Sequence, residues 1–156
     1  MDLHKTIRSQ YLAALGMLKQ VIIKCPEALW DAPGRKDKFW RKSYHALFYA
    51  HLYLQRTEKD FTPWEKHHGP DGDVPFTKDE VLDYLSFVGK QVVDRVPDTD
   101  LEAGSGFHWL PFDKLELQLY NIRHVQQHAG ELYERLDAHE NIELDWVSYG
   151  KLKEPE

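Results

Sequence analysis

Cysteine is almost missing from this chain: Cys25 is the only one in 156 residues. No disulfide can form within the chain, no Cys pair offers a zinc or redox motif, and the usage fits a reducing compartment. Long hydrophobic runs are missing too. The opening stretch MDLHKTIRSQYLAALGMLKQVII carries Lys19 inside its apolar part and shows no small-residue cleavage pattern, and no segment approaches membrane-spanning length. A clustered Lys/Arg face is also lacking, and 20 basic residues stand against 26 acidic ones for a net charge of −6. That balance argues against nucleic acid or an anionic membrane as partner. There is no His-Glu-x-x-His of a zinc protease, no nucleophile elbow and no phosphate-cradling Gly loop. Internal repeats and low-complexity tracts are absent. The expectation is a soluble, cytoplasmic protein.

What is present is an apolar and aromatic supply large enough for a core. Hydrophobic residues make up 42% and aromatics 13% of the chain, which excludes disorder. The length fits one domain over residues 1–156. In the first helix, predicted over about Asp2 to Lys24, Ile7, Tyr11, Ala14, Leu15, Leu18 and Ile22 recur at helical spacing until Pro26 ends it. Cys25 then sits at a helix terminus, where a small packed residue is the reading preferred over a reactive thiol. A break follows at Ala32, Pro33 and Gly34. The second helix is predicted from Lys36 or Asp37 to Arg56, with Phe39, Trp40, Tyr44, Phe48, Tyr49 and Tyr53 demanding a broad buried face.

Residues 57–76 form the longest irregular stretch, in which Pro63, Gly69, Pro70, Gly72 and Pro75 exclude a continuous helix. A loop this long suits a connection that runs the length of the fold. His67 and His68 lie in it, and Glu65 with His68 has the Glu-x-x-His spacing of di-iron bundles, but that spacing has meaning only on a helix and occurs once. The third helix opens with the capping box Thr77-x-x-Glu80, continues through Val81, Leu85, Val88 and Val92, and is stopped by Pro97. A Gly-containing linker leads through Phe107, His108, Trp109 and Leu110 to a fourth helix, for which Pro111 suits the first turn and Asp113 its positive end. Beyond Asp137 the tail, with Trp146 and Tyr149, has no periodicity and is expected to pack back on the helices or on a partner. Four helical segments point to an all-α fold, a four-helix bundle with a long crossover between helices 2 and 3.

The fourth helix carries the chemistry. At about 100° per residue, His124 and His128 lie about 40° apart on the edge of an apolar stripe with Leu117 and Leu132. Glu116, Arg123, Gln126, Gln127 and Glu134 already supply its polar face, so the histidines are not needed there for solubility. Residues four apart have Cβ atoms roughly 5–6 Å apart, close enough for two imidazoles to converge on one cation. The competing reading packs both rings at a seam, hydrogen-bonded to Asn121, Glu131 or a backbone carbonyl. A third ligand would decide for the metal. The second helix offers His45 and His51, roughly 120° apart around the axis, so only one of them can face the pair.

The Tyr-His-x-Leu-Phe-Tyr run from Tyr44 to Tyr49 and the Tyr-Asn-x-Arg-His-x-x-x-His run from Tyr120 to His128 together resemble the motifs of the DinB-like superfamily of metalloenzymes. The likeness extends over most of the chain, including the long second connection and the Trp-Leu-Pro-Phe run, Trp109 to Phe112, before the last helix. It implies a four-helix bundle, often dimeric, whose divalent metal is held by His45, His124 and His128. Relatives include metal-dependent S-transferases that use low-molecular-weight thiols. The resemblance therefore implies a metal-dependent transferase or hydrolase acting on a small molecule, with a non-catalytic metal- or ligand-binding dimer as the alternative. Three neutral histidines leave one position open, as in catalytic zinc sites, and the same set suits Ni, Fe or Mn. Asn121 and then Glu131 are the expected partners of the outward ring nitrogens. Arg41 and Arg123 are the basic residues that could meet a substrate's carboxylates.

Overall fold

Asp2 starts the first helix by accepting the Lys5 amide at 3.0 Å, the side-chain cap that satisfies one of the amides a helix start leaves open. The computed structural model of the chain describes residues 1–33, 37–68 and 74–150. Among these, all regular structure is helical, and the nearest thing to a strand is an isolated bridge between Gly104 and Asp113. Helix α1 spans Leu3–Lys24, and every periodic apolar residue of the first helix is buried in it. Cys25 leaves the helix in an extended conformation, as the residue before a proline prefers. It is buried, and burial pushes its thiol up to about 12, so it is an inert packed residue.

A short helix that the periodicity did not reveal, α2 over Glu27–Trp30, follows directly. It buries Trp30, whose indole Nε1 donates to the Phe76 carbonyl at 2.9 Å. Helix α3 runs Phe39–Tyr53, shorter than expected at both ends. Its C-terminal end is closed by Gln55, whose amide bonds to Leu52 O at 3.1 Å and whose side chain donates back to His51 O at 2.9 Å. The expected start at Lys36 and the break at Gly34 lie outside the described residues.

Between α3 and the next helix, the described residues hold only one 3₁₀ turn, Glu58–Asp60. Gly69, Pro70 and Gly72 lie outside the described residues. The parts on either side pack inward: Trp64 stacks on Tyr84 with ring centroids 4.6 Å apart, and Phe76 stacks on Tyr44 at 4.1 Å. Helix α4 spans Lys78–Arg95, and both bonds of the Thr77/Glu80 capping box form. Pro97 lies within a 3₁₀ turn, Val96–Asp98, where its missing N–H is harmless.

Helix α5 is Lys114–Glu140. It begins three residues after Pro111, contrary to the expectation that this proline sits in its first turn. Asp113 is its N-cap, accepting Glu116 N at 2.8 Å, and the Lys114 and Leu115 amides are taken by Ala103 O and Leu101 O at 2.8 and 3.0 Å. Asn141, left-handed at φ 51°, ends it, as asparagine can with modest strain. α5 packs against α1 and α3, and α4 packs against the same two helices. The main core between them includes Tyr11, Leu18, Leu47, Tyr84, Val125 and Leu132. The tail lies along α1: Gln20 exchanges two hydrogen bonds with the Asp145 backbone at 2.9 and 3.0 Å, and Gly150 N reaches Ser9 O at 2.9 Å.

Candidate metal centre

Burial of the aromatic face of α3 and of the Leu117, Val125 and Leu132 stripe of α5 fixes how the two helices face each other. A polar pin sets their register. Asn121, fully buried, donates from Nδ2 to the Ala50 carbonyl at 3.1 Å, one of the four carbonyls that the end of α3 leaves without a helical partner. With that register, His45 of α3 comes opposite the α5 pair. One nitrogen from each of His45, His124 and His128 lies within 4.8 Å of the others. His124 Nε2 and His128 Nε2 are 3.0 Å apart, and the His45 ring centroid is 5.3 Å from that of His124 and 4.9 Å from that of His128. Tetrahedral coordination with bonds of about 2.0–2.1 Å sets ligand nitrogens roughly 3.3–3.4 Å apart, so rotamer-scale adjustments bring the triangle to that spacing.

The donor chemistry fits a cation as well as the spacing does. His128 Nδ1 donates to Glu131 Oε2 at 2.8 Å, which fixes the tautomer and leaves the Nε2 lone pair facing the other two rings. Glu131 is held in turn by Lys42, whose Nζ lies 2.6 Å from the same oxygen and 3.3 Å from Asp37. Burial acts to raise the Glu131 carboxyl, but the hydrogen bonds from Lys42 and His128 outweigh it and bring it down to about 2. Burial, then the neighbouring imidazoles, lowers His124 to about 4. Burial, followed by the nearby His128 imidazole, also lowers His45. Both rings are therefore neutral at pH 7, the state a ligand requires. His124 Nδ1 is buried without a hydrogen-bond partner, as is the Oδ1 of Asn121. The expected Asn121–histidine bond is thus not made, and the Asn121 amide N–H goes to the α3 carbonyl instead.

A cavity of about 300 Å³ opens from the cluster, lined by His45 and His128 together with Arg41, Tyr44, Tyr49 and His67. The Tyr44 hydroxyl is hydrogen-bonded to His67 Nδ1, so the long connection supplies part of the wall. Tyr49 packs 4.8 Å from His45 and 5.7 Å from His124 between ring centroids, shielding one flank.

The other histidines go elsewhere. His51 is buried on a different face of α3 and hydrogen-bonded to Tyr84 Oη at 3.0 Å, so His45 is the one that faces the pair. His68 stacks on Phe76 at 3.7 Å, and no helix carries the Glu65/His68 pair. His108 sits exposed beside Glu58 at 3.1 Å. Arg41 lines the cavity, whereas Arg123 lies over the Tyr120 ring at 5.8 Å and does not. His67, one of the two loop histidines that the sequence allows to touch a site, does line this cavity, whereas its pairing with Tyr44 and the role of Lys42 have no place in the sequence reading. Lys42 had a signal, since it precedes His45 by three residues and so shares its helix face; the Tyr44–His67 pairing had none, because a loop has no period to read. Comparison of the chain with protein-family models, with curated proteins and with solved structures returned no match.

Proposed function

We propose that this chain is a metal-dependent enzyme of the DinB-like kind, a transferase or hydrolase in which His45, His124 and His128 hold one divalent cation, Zn, Ni, Fe or Mn. The carrying observation is the convergence of three imidazole nitrogens within 4.8 Å, one of them oriented by the Lys42-anchored carboxylate of Glu131. In this reading α1, α3, α4 and α5 form a four-helix bundle, residues 54–77 are its long crossover, and two copies associate as a homodimer in the cytoplasm. A cation with an open position supplies the acidity that ionises a thiol or a water near neutral pH.

The chain's own residues do the rest. Glu131 keeps His128 in the ligating tautomer, and Lys42 keeps Glu131 ionised. The rings of Tyr44, Phe48 and Tyr49 give the 300 Å³ cavity an apolar wall that favours a small organic substrate over bulk water. Arg41 brings a guanidinium to the same cavity, suited to the carboxylate of a low-molecular-weight thiol.

Elemental analysis of untagged protein beside His45→Ala, His124→Ala and His128→Ala tests the site. About one metal per chain in the parent, lost in each variant, is the expected result; no metal after incubation with Zn, Ni and Mn would sink it. Metal-loaded protein is then assayed with thiol and electrophile pairs. Tight binding of a small molecule without turnover would instead assign the chain to the non-catalytic binding module.

A further inference from the structure

A cavity larger than the one at the histidines lies elsewhere in the molecule. It measures about 550 Å³ and lies between the C-terminal end of α3, the 3₁₀ turn after α4 and the start of α5, and none of His45, His124 and His128 lines it. Three of its lining residues are almost fully buried and polar, Gln55 at 3%, Lys114 at 4% and Gln118 at 2% exposure. Lys114 Nζ donates to the Gln55 carbonyl at 2.9 Å and lies 5.2 Å from the centre of the Phe107 ring. An ammonium has three N–H groups, so donors remain for a ligand. Gln118 Oε1 is buried with no hydrogen-bond partner, which is rare in a folded interior unless a ligand or water supplies the donor.

The charges at the mouth have both signs. Arg56, Arg95, Asp98 and Asp100 all line the cavity, with Asp94 already paired to Lys90. Asp98 has no ion-pair partner among the described residues, while Asp100 accepts the Glu102 amide at 3.1 Å. An anion of single sign would meet the carboxylates, and a simple cation would meet Lys114 and the arginines. A molecule carrying both charges complements both sets. Burial lowers Lys114 to about 8, with Asp60 acting against it, so the ammonium is still mostly charged at neutral pH.

We propose that this cavity is a second ligand site, which takes a small zwitterion such as an α-amino acid or short peptide. In it Lys114 binds the carboxylate, and Asp98 receives the ammonium. The site stands apart from the metal centre, and its existence does not depend on any metal being bound.

Calorimetric titration of the full chain with glycine, L-alanine and glycylglycine, and with acetate and methylammonium as single-charge probes, tests it. At least one zwitterion saturates at millimolar concentration or below, and each single-charge probe binds at least about tenfold more weakly. Asp98→Asn, a change at an exposed residue, weakens the zwitterion about tenfold, and Lys114→Met does so at least as strongly. Because Lys114→Met also removes the bond to the end of α3 and can impair folding, a second readout uses the unaltered chain: the zwitterion protects Lys114 from reductive methylation, followed by peptide mass spectrometry. Absence of saturation by every zwitterion, or protection by acetate equal to that by glycine, overturns the assignment.

Discussion

Glu131 accepts hydrogen bonds from Lys42 at 2.6 Å and from His128 at 2.8 Å on one carboxylate oxygen, and it touches the proposed cation only through His128. Glu131→Gln keeps the size but loses the charge that orients the ring. Metal affinity is expected to fall about 10–100-fold, measured by competition with a chromophoric chelator, while the far-ultraviolet circular dichroism stays that of the parent. An unchanged affinity would reduce Glu131 to a surface ion pair. At this scale the sequence was informative about which histidines come together and less so about their partners. The i,i+4 histidines and His45 were readable from period and motif, and Glu131 was named as a partner. Asn121 was ranked above it because it shares the histidines' face. What spacing along one helix cannot convey is that the end of the neighbouring helix has an orphan carbonyl, Ala50 O, which takes the Asn121 amide.

Among the elements, α1 and α4 matched their sequence signals to within a residue or two, because each begins with a side-chain cap and ends at a proline-induced change of geometry. The first turn of α5 misled for a physical reason: Pro111 has the right φ for a helix start, but Asp113 has the side chain that closes one. The connections were legible only as connections. Residues 99–113 turn at Gly106, where φ is +84° and a Cβ would lie 2.2 Å from Arg56 O, while Gly106 O accepts the Glu58 amide at 3.1 Å. This glycine lets two loops approach backbone to backbone beside the second cavity. Gly106→Ala must move one loop or strain the other, and is expected to destabilise by on the order of 3 kcal/mol. Chemical denaturation of the variant checks this, and a loss below about 0.5 kcal/mol would mean the loops separate freely.

For the molecule as a whole, buried neutral histidines set how stability depends on pH. His51 is buried against Tyr84 and Phe87, and burial, followed by the charge of Arg95, lowers it to about 4 from an ordinary value of 6.5. Between those values the unfolded chain binds a proton that the folded chain does not. Stability is therefore complete above about pH 6.5 and is lost as pH falls towards about 4. His124, lowered to the same range, adds to the slope in metal-free protein. Below these, protonation of Glu131 removes a further contribution as pH falls from 4.5 towards about 2. Urea unfolding at pH 7.5 and pH 5 is expected to show His51→Gln losing less on acidification than the parent, by on the order of 2 kcal/mol. Equal losses would mean that His51 takes up its proton without unfolding. The net charge of −6 holds no hint of this, since it leaves histidines out as neutral and says nothing of which are dry.

The apolar face of α1 also has a history. Its covering surfaces are α4, over Lys78–Arg95, α5, over Lys114–Glu140, and the tail segment that reaches back to Ser9 and Gln20. As the chain emerges from the ribosome, that face must remain uncovered by all three until residues 25–77 have been made. A nascent chain stalled before α4 would therefore display Ile7, Tyr11, Leu18 and Ile22 to whatever chaperone waits at the exit.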